Sequence, residues 1–323
     1  MKIAYIILAH KYPDQLIRLV YRLNTSTSIF LIHIDKKTDN RIFDEIVKGL
    51  RDLENVIFLK RHKHYWGDFS HTFATLEGIK LALDTKLKFD YMFLLTGQDY
   101  PIKTNAYIRE FLRKNKGKEF IRHFKIPPDP GEGWDWGDEK GGLNRIENWH
   151  IRLFNTIYRI PGEGNYGISL KSLIKRIFAL FLRKRKLVDG LKLFGGSSYW
   201  CITRECTEYI NSFVKNNRRF VNFFKHVGLP DEIFFQTVIL NSPFCKNVVN
   251  DDLRCIDWSD GGSNPRILCK GDIAKLKKST GLIARKFDSR VDPDVLDLID
   301  RKLLAEESKL TDMSYTGAPR STH

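Results

Sequence analysis

Between Lys2 and Lys114, short apolar runs take turns with stretches of helical periodicity. KIAYIILAH, SIFLIHID, NVIFLK and YMFLLTG have the length and apolar content of strands. PDQLIRLVYRLN, by contrast, sets Leu16, Leu19, Val20 and Leu23 on one helical face, and NRIFDEIVKGL and SHTFATLEGIKLALD also read as helices. After the fourth strand, Thr104 or Asn105 is placed to cap a helix with Ile108, Phe111 and Leu112 inside. A βαβα series of this kind predicts an α/β fold in which helices cover a parallel sheet. Ligands of such sheets sit beyond the carboxyl ends of the strands. The ends to watch are Ala9 and His10, His33 to Asp35, and Gly97 to Asp99.

From Ile126 to Gly167 the texture changes. PPDPGEGWDWGDEKGG and PGEGNYG are Gly-rich, acidic and aromatic, the character of long binding loops or lids. KSLIKRIFALFLRKRKLV follows, a basic amphipathic segment over residues 171–186 that suits either an anionic membrane surface or an ordinary packed helix with a solvated basic end. In LPDEIFFQTVILNSP, Asp231 and Glu232 crowd the start of an apolar stretch. A helix beginning near Pro230 would welcome both, because its first turn offers unpaired N–H groups and the positive end of its dipole.

Composition narrows the classes. With 323 residues, 42% of them hydrophobic, the chain suits one large domain or two intimately packed halves. No apolar run is long enough to span a bilayer, and the first one lacks a signal-peptide cleavage site. The five cysteines, Cys201, Cys206, Cys245, Cys255 and Cys269, form no CxxC pair and read as reduced thiols, which fits a cytoplasmic protein. Lys and Arg outnumber Asp and Glu by 54 to 39, so the net charge of +15 calls for an acidic partner. Without zinc-finger spacing, an RNA-recognition signature or a massed basic arm, no nucleic-acid partner is expected. His62 and His64 lack a third ligand at convincing spacing and read as a solvated turn, with no metal site predicted.

Four patterns occur together: FDYMFLLTGQDYPIKT from Phe89, GGSSYWCITRECTEYI from Gly195, LPDEIFFQTVILNSP from Leu229 and LRCIDWSDGGSNPRIL from Leu253. In that order the chain resembles the core-2/I-branching β-1,6-N-acetylglucosaminyltransferases, glycosyltransferase family 14, which includes the peptide O-xylosyltransferases. The similarity begins at IILAHKYPDQLIRLVYRLN, continues through FLIHIDKK and ends at ARKFDSRVD. It leaves out the loops after Ile126 and the tail.

The resemblance implies a GT-A fold, a UDP-sugar donor and inversion at the anomeric carbon. It implies a single domain over 1–310, with a nucleotide-sugar half at 1–117 and an acceptor and catalytic half at 118–310, before a disordered tail at 311–323. Inversion needs one carboxylate to take the acceptor proton and stabilisation of the departing diphosphate. The family's base carries over to Glu232, leaving Asp231 as the helix cap. Neither His33-Ile34-Asp35 nor Gly97-Gln98-Asp99 supplies an Asp-x-Asp metal pair. The resemblance therefore implies no metal cofactor, with Arg266 and Lys286 at the diphosphate. His33, Asp35, Ser70, Gly97, Gln98 and Asp99 match donor-side positions, and Arg145 and Trp258 match acceptor-side ones.

The expected activity is transfer of β-linked N-acetylglucosamine to a glycan or glycolipid acceptor in surface polysaccharide synthesis, with peripheral contact at the inner membrane face. Transfer of xylose or another sugar is the alternative within the enzyme class. Outside it, the alternative is a non-catalytic carbohydrate- or nucleic-acid-binding protein.

Overall fold

In the computed structural model, described for all residues except 86, 135–139, 154–155, 161–172, 174–176, 179–180, 183–184, 186–189, 262–263 and 306–323, the alternation forms as read. The order is β1 (Ile3–Ala9), α1 (Pro13–Leu23), β2 (Ser28–Ile34), α2 (Asn40–Leu50), β3 (Val56–Phe58), α3 (Ser70–Asp84), β4 (Tyr91–Thr96), β5 (Asp99–Pro101), α4 (Asn105–Lys114) and β6 (Glu119–Lys125). Then come α5 (Leu143–Glu147), β7 (Trp149–Leu153), β8 (Thr156–Ile160), β9 (Phe194–Thr203), α6 (Arg204–Asn216), α7 (Arg218–Phe224) and α8 (Phe234–Leu240). The chain continues through β10 (Val248–Val249), β11 (Arg254–Ile256), α9 (Ile273–Lys278), β12 (Ile283–Arg285) and α10 (Val295–Lys302).

Seven strands form the main sheet in the order β10-β6-β9-β4-β1-β2-β3. β4, β1, β2 and β3 are mutually parallel, and β9 runs antiparallel to both β4 and β6. Strands from both sides of residue 118 thus share one sheet. Helices cover it, as a GT-A type fold requires. A smaller sheet, β11-β12-β5, lies beside it, and β7 pairs with β8 in a hairpin.

β1 shows why the first strands are apolar throughout. Ile3, Tyr5, Ile7 and Ala9 join a core beneath α1 and α2, while Ala4, Ile6 and Leu8 join another beneath α3. Burial on both faces removes the polar alternation of a half-exposed strand. α1 buries the predicted Leu16, Leu19, Val20 and Leu23. Thr104 caps α4 by accepting the Tyr107 N–H, with Ile108 and Leu112 buried and Phe111 packed against them.

Three expectations change. No α-helix starts at Pro230: Pro230–Glu232 is a single 3-10 turn entered from Leu229 in the left-handed region at φ 48°, and α8 begins only at Phe234. His62 and His64 are not a solvated turn; both are half-buried, His62 with its ring 4.1 Å from that of His33 and His64 with its ring 5.3 Å from that of His71. Of the first Gly-rich stretch, Trp134 is fixed, with its ring meeting Phe124 edge-on at 4.7 Å. PGEGNYG, the tail 311–323 and most of the basic segment 171–186 lie outside the described residues. All five cysteines are free. Among the described residues no helix is long and apolar enough to cross a membrane.

Candidate active site

The carboxyl ends of β1, β2 and β4 open into a cleft of about 580 Å³, closed on its other sides by β9, the Pro230–Glu232 turn and the β11–β12 region. Ala9, His10, His33, Asp35, Gly97 and Gln98 line it, as their strand-end positions predicted. β6 and β9 reach it as a tightly joined pair. A Cβ at Gly196 would stand 1.9 Å from the Arg122 carbonyl oxygen, so only glycine permits that approach.

Asp231 and Glu232 have separate partners. Glu232 faces the cleft and pairs with Arg145, whose Nη1 lies 2.8 Å from Oε2. Burial, and then the neighbouring Asp231 charge, raise the Glu232 carboxyl from 4.5 to about 7 against the pull of Arg145. Asp231 accepts the Ser198 hydroxyl at 2.8 Å and lies 3.6 Å from His71 Nδ1. Burial holds that imidazole below its ordinary value. Asp231 caps no α-helix; its side chain belongs to the cleft wall.

Arg145, matched to the acceptor side in the sequence, is buried beneath Glu232. Its guanidinium carbon sits 3.8 Å from the centre of the Trp134 ring, and Trp134 donates its indole N–H to the Gly196 carbonyl at 3.2 Å. The aromatic of the Gly-rich loop thus locks the cation that orients Glu232. Trp258 is half-buried in the cleft wall.

On the strand-end side, Asp35 accepts the backbone N–H groups of Lys37 at 2.9 Å and His64 at 3.1 Å. Burial, with His62 and His64 nearby, lowers the His33 imidazole to about 3. It is neutral at pH 7, and its Nε2 accepts the His62 N–H at 3.2 Å. Gln98 donates to the Phe287 carbonyl at 2.9 Å. Ser70 lies outside the cleft lining: its hydroxyl bonds Asp68 and accepts the Tyr65 N–H, shaping the loop whose Gly67 carbonyl receives the Leu229 N–H at 3.0 Å. That contact ties the loop to the Glu232 turn.

Asp99 also lies outside the lining. It is fully buried and pairs with Arg285, 2.8 Å from its Nη1. Sequence reading passed over Arg285, although it sits beside Lys286 at the end of β12. Lys286 faces the cleft, and burial with Arg285 and Lys11 nearby lowers its ammonium below the ordinary range. Lys11, Arg285 and Lys286 therefore gather on one wall. Arg266 is elsewhere. Its guanidinium is clamped between Asp257 at 2.7 Å and Asp272 at 2.5 Å, and the cleft lining stops at Asn264 and Pro265. Among the described residues no three His, Cys, Asp or Glu side chains are placed to hold a metal ion.

The family model described as Core-2/I-Branching enzyme matches residues 3–278. The chain belongs to that family. Its curated relatives include xylosyltransferase 2 of Rattus norvegicus, 27% identical over 93% of this chain and 33% of that one, and of Homo sapiens, 26% identical over the same shares. Xylosyltransferase 1 of Rattus norvegicus is 22% identical over 94% of this chain and 35% of that one. This family member therefore spans about a third of the length of those relatives. Among solved structures, a 4-diphosphocytidyl-2C-methyl-D-erythritol synthase from Anaerococcus prevotii matches with a TM-score of 0.32 at 12% identity, over 70% of this chain and 83% of that one.

Proposed function

We propose that the chain is an inverting glycosyltransferase that moves a sugar from a UDP-sugar to a hydroxyl of a glycan or glycolipid acceptor, with Glu232 as the base. The observation that carries this reading is Glu232 itself, a carboxylate on the cleft wall, oriented by Arg145 and tuned by burial to about 7. A base with that proton affinity accepts the hydroxyl proton as the oxygen attacks the anomeric carbon, and the bond to the diphosphate breaks on the opposite face. No covalent nucleophile is needed. Lys286 lines the cleft with Lys11 and Arg285, and this reading assigns to it the charge of the departing diphosphate, without a metal. The position of Trp258 suits the apolar face of an acceptor sugar.

N-acetylglucosamine, β-linked, is the sugar this reading assigns, and the acceptor is a surface polysaccharide or lipid-linked intermediate at a membrane face. The names of the relatives favour a second reading, transfer of xylose. A panel of UDP-sugars assayed for UDP release by hydrolysis separates the two without knowledge of the acceptor. One sugar should release UDP with the wild type and not with Glu232→Gln. UDP binding without release from any sugar would make the chain a binding protein, and more than about half the turnover in the variant would remove Glu232 as base.

A further inference from the structure

One polar side chain interrupts the buried face of α1. Gln15 is 2% exposed, in company with the buried Leu16, Leu19, Val20 and Leu23. A buried amide costs free energy unless its N–H groups and its oxygen are paired. Those of Gln15 are. Nε2 donates to the Gly97 carbonyl at 3.1 Å and to the Phe287 carbonyl at 3.2 Å, and Oε1 accepts the Ser289 N–H at 3.2 Å. The partners lie 82, 272 and 274 residues away, so this one side chain joins the first turn of α1 to the end of β4 and to the segment leaving β12.

That segment carries Lys286, and its backbone is held at successive residues. The Lys286 carbonyl accepts the Leu268 N–H at 2.9 Å, and the Phe287 N–H donates to the Gln98 carbonyl at 2.9 Å. The Phe287 carbonyl takes Gln98 Nε2 at 2.9 Å as a second donor beside Gln15. Tyr12, just before α1, donates its hydroxyl to Asp288 at 2.6 Å, and Lys11 Nζ lies 3.9 Å from the same carboxylate. Gln15 is outside the cleft lining, whereas Lys11, Gly97, Gln98 and Lys286 are part of it. A lysine is a point charge on a flexible four-carbon stem, so the place its ammonium reaches is set by the backbone beneath it. An apolar side chain of the same volume as Gln15 would complete the α1 face and leave two carbonyls and an N–H of that backbone without this partner.

We propose that Gln15 is a positioning residue for the donor diphosphate: it fixes the backbone from Phe287 to Ser289, and with it the reach of Lys286 into the cleft. The assignment rests on the reading of the cleft as a UDP-sugar site.

Calorimetry with UDP and with uridine, which lacks the phosphates, tests it on the full chain. Gln15→Met should weaken UDP binding roughly fivefold, less than the loss of Lys286 itself, and leave uridine binding unchanged. Combined with Lys286→Ala, the same substitution should cost less than about twofold further, since the charge it positions is already gone. If Gln15→Met does not fold, Gln15→Asn, one methylene too short to span all three partners, should show the same split between the two ligands. UDP affinity unchanged in the variant, equal weakening of UDP and uridine, an undiminished loss on top of Lys286→Ala, or failure of both variants to fold would each overturn the positioning role. A wild type that binds no UDP would overturn the donor reading itself, and this role with it.

Discussion

Glu232→Gln should abolish transfer and yet stabilise the fold. In the folded chain the Glu232 carboxyl titrates at about 7 instead of 4.5. Between those values the folded state keeps a proton that the unfolded state has released. Its contribution to stability is therefore full below the unfolded value, and is lost as pH rises through the folded one. This is the reverse of a salt-bridged carboxylate whose proton affinity is lowered. At about 1.4 kcal/mol per unit, the shift corresponds to on the order of 3 kcal/mol. The side chain retains 18% exposure, and screening by that water reduces the figure to about 2 kcal/mol. Gln copies the protonated acid and still offers Arg145 an acceptor. The variant should therefore match the wild type at about pH 4 and exceed it by about 2 kcal/mol at about pH 8. Urea unfolding of both proteins at both pH values measures this directly, since titrating groups that do not interact with Glu232 cancel in the difference. Equal stability at both pH values, or a less stable variant at the higher one, would mean that Arg145 outweighs burial and the carboxyl ionises as an ordinary one. Over the same window, wild-type transfer should rise as Glu232 ionises, while the variant loses roughly 100- to 10,000-fold in rate.

Arg145→Met removes the buried counter-charge, so the pH at which transfer switches on should move upward and the rate at about pH 7 should fall roughly tenfold. A pH–rate profile unchanged in shape would refute the pairing. Calorimetry should show Lys286→Ala weakening UDP binding roughly tenfold, and Arg266→Ala weakening it less while lowering the melting temperature, because Arg266 is spent on Asp257 and Asp272; the opposite ranking would return the diphosphate contact to Arg266. Transfer should persist in excess EDTA; loss restored by manganese or magnesium would show that a metal carries the leaving-group charge.

Where local pattern decides structure, reading and outcome coincide. SHTFATLEGIKLALD is α3 residue for residue, and β1, β2 and β4 end where their apolar runs end. The PDE turn shows the limit. Proline followed by two acids is good chemistry for a helix start, yet Leu229 enters at φ 48° with its N–H bound to the Gly67 carbonyl, and the two carboxylates diverge to Ser198 and Arg145. Partners 33 and 87 residues distant leave no mark on a local pattern.

By itself, then, the sequence determined the βαβα framework, the cleft at the strand ends and the presence of an acid at Glu232, because periodicity and strand order act through neighbours in the chain. Only the tertiary structure decided which charged groups face the cleft. It turned Asp99 onto Arg285 and Arg266 onto two aspartates, and it placed Arg145 beneath Glu232. The physical reason is that a charge taken out of water needs a partner. Which partner it finds depends on the packing of segments as far apart as β5 and β12, or α5 and the Glu232 turn.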